Sequence, residues 1–187
     1  YRRQRQMCIR DSYVRINCMN EITYTQIMPN DIDDVIRIER ATFSENEALS
    51  IESMIERINL IPDSFIAARN SEGTVVGYVS GPVTEGRYLD DESFERTEAN
   101  PKTGGFQKII SLTVDPDYQG LGIATNLLLL LEKEAKSKKR LGISLTCHDY
   151  LVPYYEKHGF TDEGLSESKF GGETWYNMVM ELSLIHI

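Results

Sequence analysis

Cysteine is scarce in this 187-residue chain, and the three present, Cys8, Cys18 and Cys147, are odd in number and show neither CxxC nor Cys/His ligand spacing. That speaks against a disulfide framework and a structural zinc site, and it suits a reducing, cytoplasmic setting. Long apolar runs are missing as well. The longest, Leu127 to Leu131 after Asn126, stops at Glu132 and is far too short to cross hydrocarbon, so no membrane partner is expected. No apolar stretch separates the N-terminal arginines from the polar segment after them, so no signal peptide is expected either. Positive charge is in deficit: 20 Lys and Arg stand against 29 Asp and Glu, a formal net charge of -9. Phosphate contacts need clustered cations, which argues against a nucleic-acid partner, while a cationic partner suits the balance.

What is present is ordinary for a globular chain: 41% hydrophobic and 26% charged residues, with a length that suits one domain and one core. The ends look foreign to that domain. Tyr1 to Cys18 carries Arg2, Arg3, Arg5, Arg10 and Arg15 against Asp11 alone, and the strings Met7 to Ser12 and Leu182 to Ile187 resemble translated adapter sequence. The domain is therefore expected over 19–182, starting at Met19, with 1–18 and 183–187 non-native; a disordered basic arm is the alternative for the first segment.

Along the chain, Ile22, Tyr24 and Gln26 share one face of a strand over 22–27. Asn30-Asp31 can cap a helix in which Ile32, Val35, Ile36, Ile38 and Ala41 recur at helical spacing up to Phe43. Ser50 opens a second helix with Ile51, Met54, Ile55 and Ile58 on its apolar side, ending before Pro62. Residues 64–69 and 74–83 are β-rich and flank Asn70-Ser71-Glu72-Gly73, which predicts an antiparallel hairpin. The polar stretch 84–105 reads as a long surface loop with a short helix around Ser93. Strand character returns over 106–114, followed by a helix over 121–138, a strand over 142–147, a short helix over 151–158 closed by Gly159, and a hairpin over 161–182 turning near Gly171-Gly172. This order implies one mixed sheet flanked by helices.

The segment richest in chemistry runs from Ile109 to Val114, an apolar strand, into Gln119-Gly120-Leu121-Gly122-Ile123-Ala124 at the start of a helix. Unpaired amides at a helix N-terminus form an anion site, and glycines let a pyrophosphate approach the backbone. The run lacks the lysine of a triphosphate loop and is not G-x-G-x-x-G. A tight turn with no ligand accounts for the glycines equally well at this point.

Gln119-x-x-Gly122-x-Ala124, taken with Tyr154-Tyr155-Glu156-Lys157-His158-Gly159-Phe160, resembles the paired signature of the GNAT acetyltransferases. Within that family, Leu151 to Tyr155, Ile38 to Phe43 and the loop ending Gly104-Gly105 are similar to stretches of the arylalkylamine (serotonin) N-acetyltransferases, and the similarity runs from about Glu21 to Leu182. The resemblance implies an α/β (α+β) GNAT fold: a mixed, mostly antiparallel sheet of about seven strands, helices on both faces, splayed where the fourth and fifth strands part. It implies acetyl-coenzyme A as co-substrate and no metal. Leu112, Thr113 and Val114 would pair with the pantetheine arm through backbone groups, and Gln119, Gly120, Leu121, Gly122, Ile123, Ala124 and Thr125 would surround the pyrophosphate. Tyr155 would protonate the departing thiolate, and Phe43 and Trp175 would line the amine pocket.

The activity so implied is direct acetyl transfer, in a ternary complex, to the primary amine of a small cationic acceptor, an arylalkylamine or a polyamine. A protein or peptide N-acetyltransferase and a non-catalytic acyl-coenzyme A sensor are the alternatives. An alkylammonium is only roughly one part in a thousand neutral at pH 7, so the reaction needs a route for its proton. The family's two histidines on the strand before the turn are matched here by Lys108 and Ile110, neither of them a base for this purpose. Candidate bases are then Glu45, Glu47, a carboxylate of the 84–98 loop, a water chain, or no dedicated residue; His148, which follows the fifth strand and so can lie near the cleft, reads first as a hydrogen-bonded surface histidine, His158 as structural, and Cys147 as a small buried residue. The acidic Glu45-Asn46-Glu47 stands where the arylalkylamine enzymes carry a proline-containing loop, which favours a multiply charged amine over indole.

Overall fold

In the computed structural model, which describes residues 21–182, the polar punctuation of the sequence becomes the boundaries of its elements. The segments 1–18 and 183–187, and the expected start at Met19, lie outside the described residues. Strand β1 (Thr23–Gln26) leads into helices α1 (Ile32–Thr42) and α2 (Ile51–Leu60). Ser50 caps α2 as its position predicts, its hydroxyl accepting from the Ser53 amide at 3.1 Å. Asp31 makes no such cap for α1. Its carboxylate accepts from the Met28 amide at 2.9 Å and from both Arg69 terminal nitrogens at 2.9 and 2.6 Å, a distant partner that outcompetes the local cap.

Strands β2 (Phe65–Arg69) and β3 (Val75–Ser80) form the expected antiparallel pair. Then come β4 (Val83–Thr84), the short helix α3 (Glu92–Glu95), β5 (Phe106–Ile109), β6 (Ser111–Val114), α4 (Ile123–Ser137), β7 (Gly142–Cys147), α5 (Val152–Lys157), β8 (Thr161–Leu165) and β9 (Tyr176–Glu181). The strands form two sheets, β1-β2-β3-β6 and β4-β5-β7-β9-β8.

The described residues form nine strands rather than about seven because two of the expected strands are each broken once. Between the pairings Ser80 to Ser111 and Val83 to Gln107, Gly81 and Pro82 stand opposite Lys108, Ile109 and Ile110, one residue more. The extra residue makes a bulge, with the Ile110 amide donating to the Ser80 carbonyl and the Lys108 amide to the Pro82 carbonyl, both at 2.8 Å. Gly81 is required at this crossing, since a Cβ there would lie 1.9 Å from the Lys108 carbonyl oxygen.

That bulge positions the site. β5 runs parallel to β7 from Phe106 opposite Gly142 to Ile109 opposite Leu145; beyond it, β6 pairs with β3 alone. The sheet therefore splays between β6 and the end of β7, where the resemblance implied an opening. Helix α4 packs Leu127, Leu128 and Leu131 against Ala68, Val79 and Ile143. Helices α1 and α2 bury Val35, Ile38, Met54 and Ile58 with Ala67 and Tyr78. Each fully buried leucine stabilises by about 1.5–3 kcal/mol, so α4 is a firmly anchored wall of the opening. Among the described residues, no helix is long and apolar enough to cross a membrane.

Candidate active site

A cleft of about 670 Å³ occupies the splay. One half is built from backbone. In the β3 register, Thr113 lies opposite Tyr78, and the Asp115 amide donates to the Val76 carbonyl at 2.8 Å. Alternation then directs the backbone groups of Leu112 and Val114 to the other edge of β6, which has no strand partner. Gln119 reaches back, its Nε2 donating to the Val114 carbonyl at 3.2 Å. Thr113 differs from its neighbours: its hydroxyl donates to the Thr42 hydroxyl at 2.6 Å, tying β6 to α1.

The turn into α4 is held by Asp115, whose carboxylate accepts from the Asp117 amide at 2.9 Å and from Arg37 Nη1 at 2.7 Å. Gly120 and Gly122 have φ of +82° and +81°, and no atom lies within 4 Å of where a Cβ would stand on either. They are needed for the left-handed backbone, and they leave the space above it open. The first bond of α4 runs from the Asn126 amide to the Gly122 carbonyl at 3.0 Å, so the amides of Ile123, Ala124 and Thr125 have no acceptor within the helix. Gln119, Gly120, Gly122, Ile123, Ala124 and Thr125 all line the cleft; Leu121 does not, its side chain being 42% exposed to solvent. Open glycines, free amides and an unpartnered strand edge together fit a pyrophosphate followed by an amide-bearing arm.

Tyr155 lines the cleft from α5, only 8% exposed and packed edge-on to Tyr154 (5.1 Å between centroids, 85°) and Phe160 (5.6 Å, 78°). Burial, reinforced by Cys147 and Tyr154, pushes its phenol well above the ordinary value, so it keeps its proton. The Cys147 thiol is pushed up to about 12 by burial, with the charges of Asp162 and Asp149 adding to the effect, and it stays a small neutral group. His158 is structural: its ring nitrogens lie 2.9 Å from the Tyr154 carbonyl and 3.1 Å from the Thr125 hydroxyl, linking α5 to the start of α4.

The other half is built from side chains on loops. Phe43, Glu47 and Leu49 enter from the α1–α2 connection, Leu89 and Phe94 from the 85–105 segment, Phe170 and Trp175 from the β8–β9 connection, and His148 from the end of β7. The loops are fastened to one another. Phe94 stacks on Phe170 with centroids 3.9 Å apart, and Asp91 accepts from the Ser168 hydroxyl and from the Lys169 amide at 3.1 Å. Buried Arg57 donates to the Ser93 and Phe94 carbonyls at 2.9 and 3.2 Å, and burial lowers its guanidinium to about 10. Beneath them Glu39 lines the floor, with one oxygen accepting from the Tyr78 hydroxyl and the other from the Leu49 amide at 2.9 Å. Its carboxyl is raised by burial against the opposing effect of those hydrogen bonds.

At the centre of this half, His148 Nε2 lies 3.1 Å from Glu47 Oε2, with side-chain exposures of 20% and 16%. Trp175 stacks on the imidazole at 4.4 Å and Tyr150 at 5.5 Å, and the Trp175 indole donates to the Phe170 carbonyl at 2.9 Å. Donor atoms of Glu47, His148 and Glu173 all lie within 4.8 Å of one another.

Of the carboxylates considered as bases, only Glu47 lines the cleft. Glu45 is exposed outside it, and the 84–98 segment contributes apolar Leu89 and Phe94, its Asp90 and Asp91 being spent on Ser93 and on the Ser168 hydroxyl and Lys169 amide. Lys108 points away from the cleft, fully buried, donating to Thr84 Oγ1 at 2.8 Å and to the Gly86 carbonyl; burial lowers its amine to about 8 despite the charge of Asp90. His148, at the carboxyl end of β7 beside the splay, lines the cleft and is hydrogen-bonded to Glu47.

Comparison with known proteins places this geometry. No curated protein sequence matches the chain. Among solved structures, the loading GNATL domain of CurA from Lyngbya majuscula superposes with a TM-score of 0.73 at 13% identity, covering 86% of this chain and 98% of its own. NAA60 of Arabidopsis thaliana, in complex with a bisubstrate analogue, gives 0.67 at 18%, covering 87% and 100%. PaiA N-acetyltransferase from Thermoplasma acidophilum, in complex with coenzyme A, gives 0.56 at 19%, covering 87% and 99%. Residues 18–182 match the family model described as an acetyltransferase (GNAT) domain. The chain is thus an acyl-coenzyme A-dependent acyltransferase and belongs to the GNAT acetyltransferase family.

Proposed function

We propose that the chain transfers acetyl from acetyl-coenzyme A directly to the primary amine of a small cationic acceptor. The observation that carries this reading is the make-up of the acceptor half: Glu39 and Glu47 line it, no Lys or Arg does, and aromatic and aliphatic side chains from three fastened loops close over it. A pocket lined by carboxylates and aromatic faces, with no Lys or Arg, draws in a cation. Leu89, Phe94, Phe170 and Trp175 favour an amine with an aromatic tail over a polyamine, whose further ammonium groups would be desolvated against apolar surface.

When bound, acetyl-coenzyme A supplies an electrophilic thioester. Leu112 and Val114 would hold its pantetheine amides through their free backbone edge, and the amides of Ile123, Ala124 and Thr125 above Gly120 and Gly122 would hold the pyrophosphate. Tyr155 would direct a neutral O–H at the departing sulfur. Because the phenol lies above an ordinary thiol of about 8.5, it stabilises the developing thiolate mainly as a hydrogen-bond donor.

The test is free-thiol release by the full chain from acetyl-coenzyme A against phenethylamine, tryptamine, spermidine, spermine and a lysine peptide. Highest turnover is expected with the arylalkylamines. A preference for the peptide would move the reading to a protein N-acetyltransferase, and tight acetyl-coenzyme A binding without turnover would move it to a sensor.

A further inference from the structure

An N-acetyltransferase reading of the cleft leaves one chemical requirement unassigned, the removal of the ammonium proton. Resting on that reading, we propose that His148 is the base that takes this proton, with Glu47 as its positioning partner. A carboxylate can only accept, so the 3.1 Å contact makes Nε2 the protonated nitrogen of the neutral ring and leaves the lone pair on Nδ1. Among the described residues no group hydrogen-bonds Nδ1. The ring cannot turn freely, because Trp175 and Tyr150 stack on it. An acceptor oriented by the same imidazole, a charged partner and an aromatic clamp is the arrangement that general-base catalysis requires.

The other ionisable groups of the cleft do not serve. Both oxygens of Glu39 are engaged, by Tyr78 and Leu49, and the Cys147 thiol is a neutral group. Glu173 is exposed, with its carboxylate within 4.8 Å of the pair, so an ammonium at this cluster meets two carboxylates beside the base. The cluster thus selects a cation and then discharges it.

The step balances as follows. An ammonium N–H bond breaks and an H–Nδ1 bond forms, Glu47 stabilising the resulting imidazolium. The freed amine lone pair forms the C–N bond to the thioester carbonyl carbon, the C–S bond breaks, and the electron pair leaves on sulfur, which receives the Tyr155 hydrogen bond. The amide nitrogen sheds its second surplus proton, one proton ends on the thiol and one passes from His148 to solvent. The sum is ammonium plus thioester to amide plus thiol plus one proton.

The experiment compares full-length wild type, His148→Gln and Glu47→Gln on phenethylamine and its β,β-difluoro analogue, whose amine is far less basic and needs no base at pH 7. His148→Gln is expected to lower kcat/KM for phenethylamine by roughly 10²–10³-fold but for the fluorinated amine by less than about tenfold. Glu47→Gln should follow the same pattern with smaller losses, and acetyl-coenzyme A affinity, which also reports folding, should hold within about twofold in both. Equal losses on the two amines, or no loss on either, would overturn the assignment. Wild type that binds acetyl-coenzyme A but acetylates neither amine nor any other in the panel would overturn the N-acetyltransferase reading itself, and the base with it.

Discussion

On the proposed reading, the cofactor half of the cleft is lined from one stretch of chain, within 111–125, largely through backbone: the β6 edge away from β3, two left-handed glycines and three amides without a helical acceptor. The acceptor half, on the same reading, is gathered from four separate segments and works through side chains, with Glu47 and His148 meeting across 101 residues. A backbone site depends on conformation and tolerates most side-chain changes that preserve it. A side-chain site depends on identity at each position and on whatever fastens its loops. One half can therefore stay fixed on a common co-substrate while the other is retuned to a new acceptor.

The sharpest way to separate the halves is at their junction. Tyr155→Phe removes one oxygen that belongs to the chemistry and to neither binding surface, so kcat should fall by roughly 10²–10⁴-fold while acetyl-coenzyme A affinity stays within about twofold; stopped-flow turnover with parallel calorimetry reads both. Breaking the backbone half comes next. Gly122→Val forces a β-branched residue to φ +81°, which costs about 1–2 kcal/mol and should weaken acetyl-coenzyme A by roughly five- to thirty-fold with acceptor KM little changed. Trp175→Ala attacks the side-chain half alone: losing the aromatic face should raise acceptor KM by roughly 3- to 30-fold and leave acetyl-coenzyme A affinity intact. If Trp175→Ala weakened the co-substrate as much as the acceptor, the division between halves would be wrong. The smallest effect is expected from Glu45→Gln, an exposed neighbour of Glu47 outside the cleft, where steady-state parameters should move by less than about twofold.

The same division explains what could be read from residues alone. The strand, glycine turn and helix of 109–138 were legible because their rules are local: apolar alternation, left-handed glycines, unpaired first-turn amides. Leu121 stands apart from its neighbours in that its side chain is exposed outside the cleft. The replacement of two strand histidines by Lys108 and Ile110 left the base unassigned, and Lys108 is buried and bonded to Thr84 and Gly86. Where a base lies is a matter of tertiary adjacency, and no pattern near His148 encodes its contact with Glu47. Asp31 fits the same account, since a cap is a local choice and Arg69 is a distant one. The extra strand count came from a single bulged residue opposite Gly81-Pro82, a feature invisible to periodicity because both flanking strands keep their alternation.

The parting of β6 from β7 carries a consequence beyond chemistry. β6 and the end of β7 face one another across a gap without pairing, the kind of surface that invites adhesion between copies. A ligand laid along that gap finishes the sheet, acting as a removable piece of architecture. By mass action, acetyl-coenzyme A at a hundred times its Kd stabilises the native state by about 2.7 kcal/mol. The melting temperature and shelf life of the protein therefore record how much thioester surrounds it.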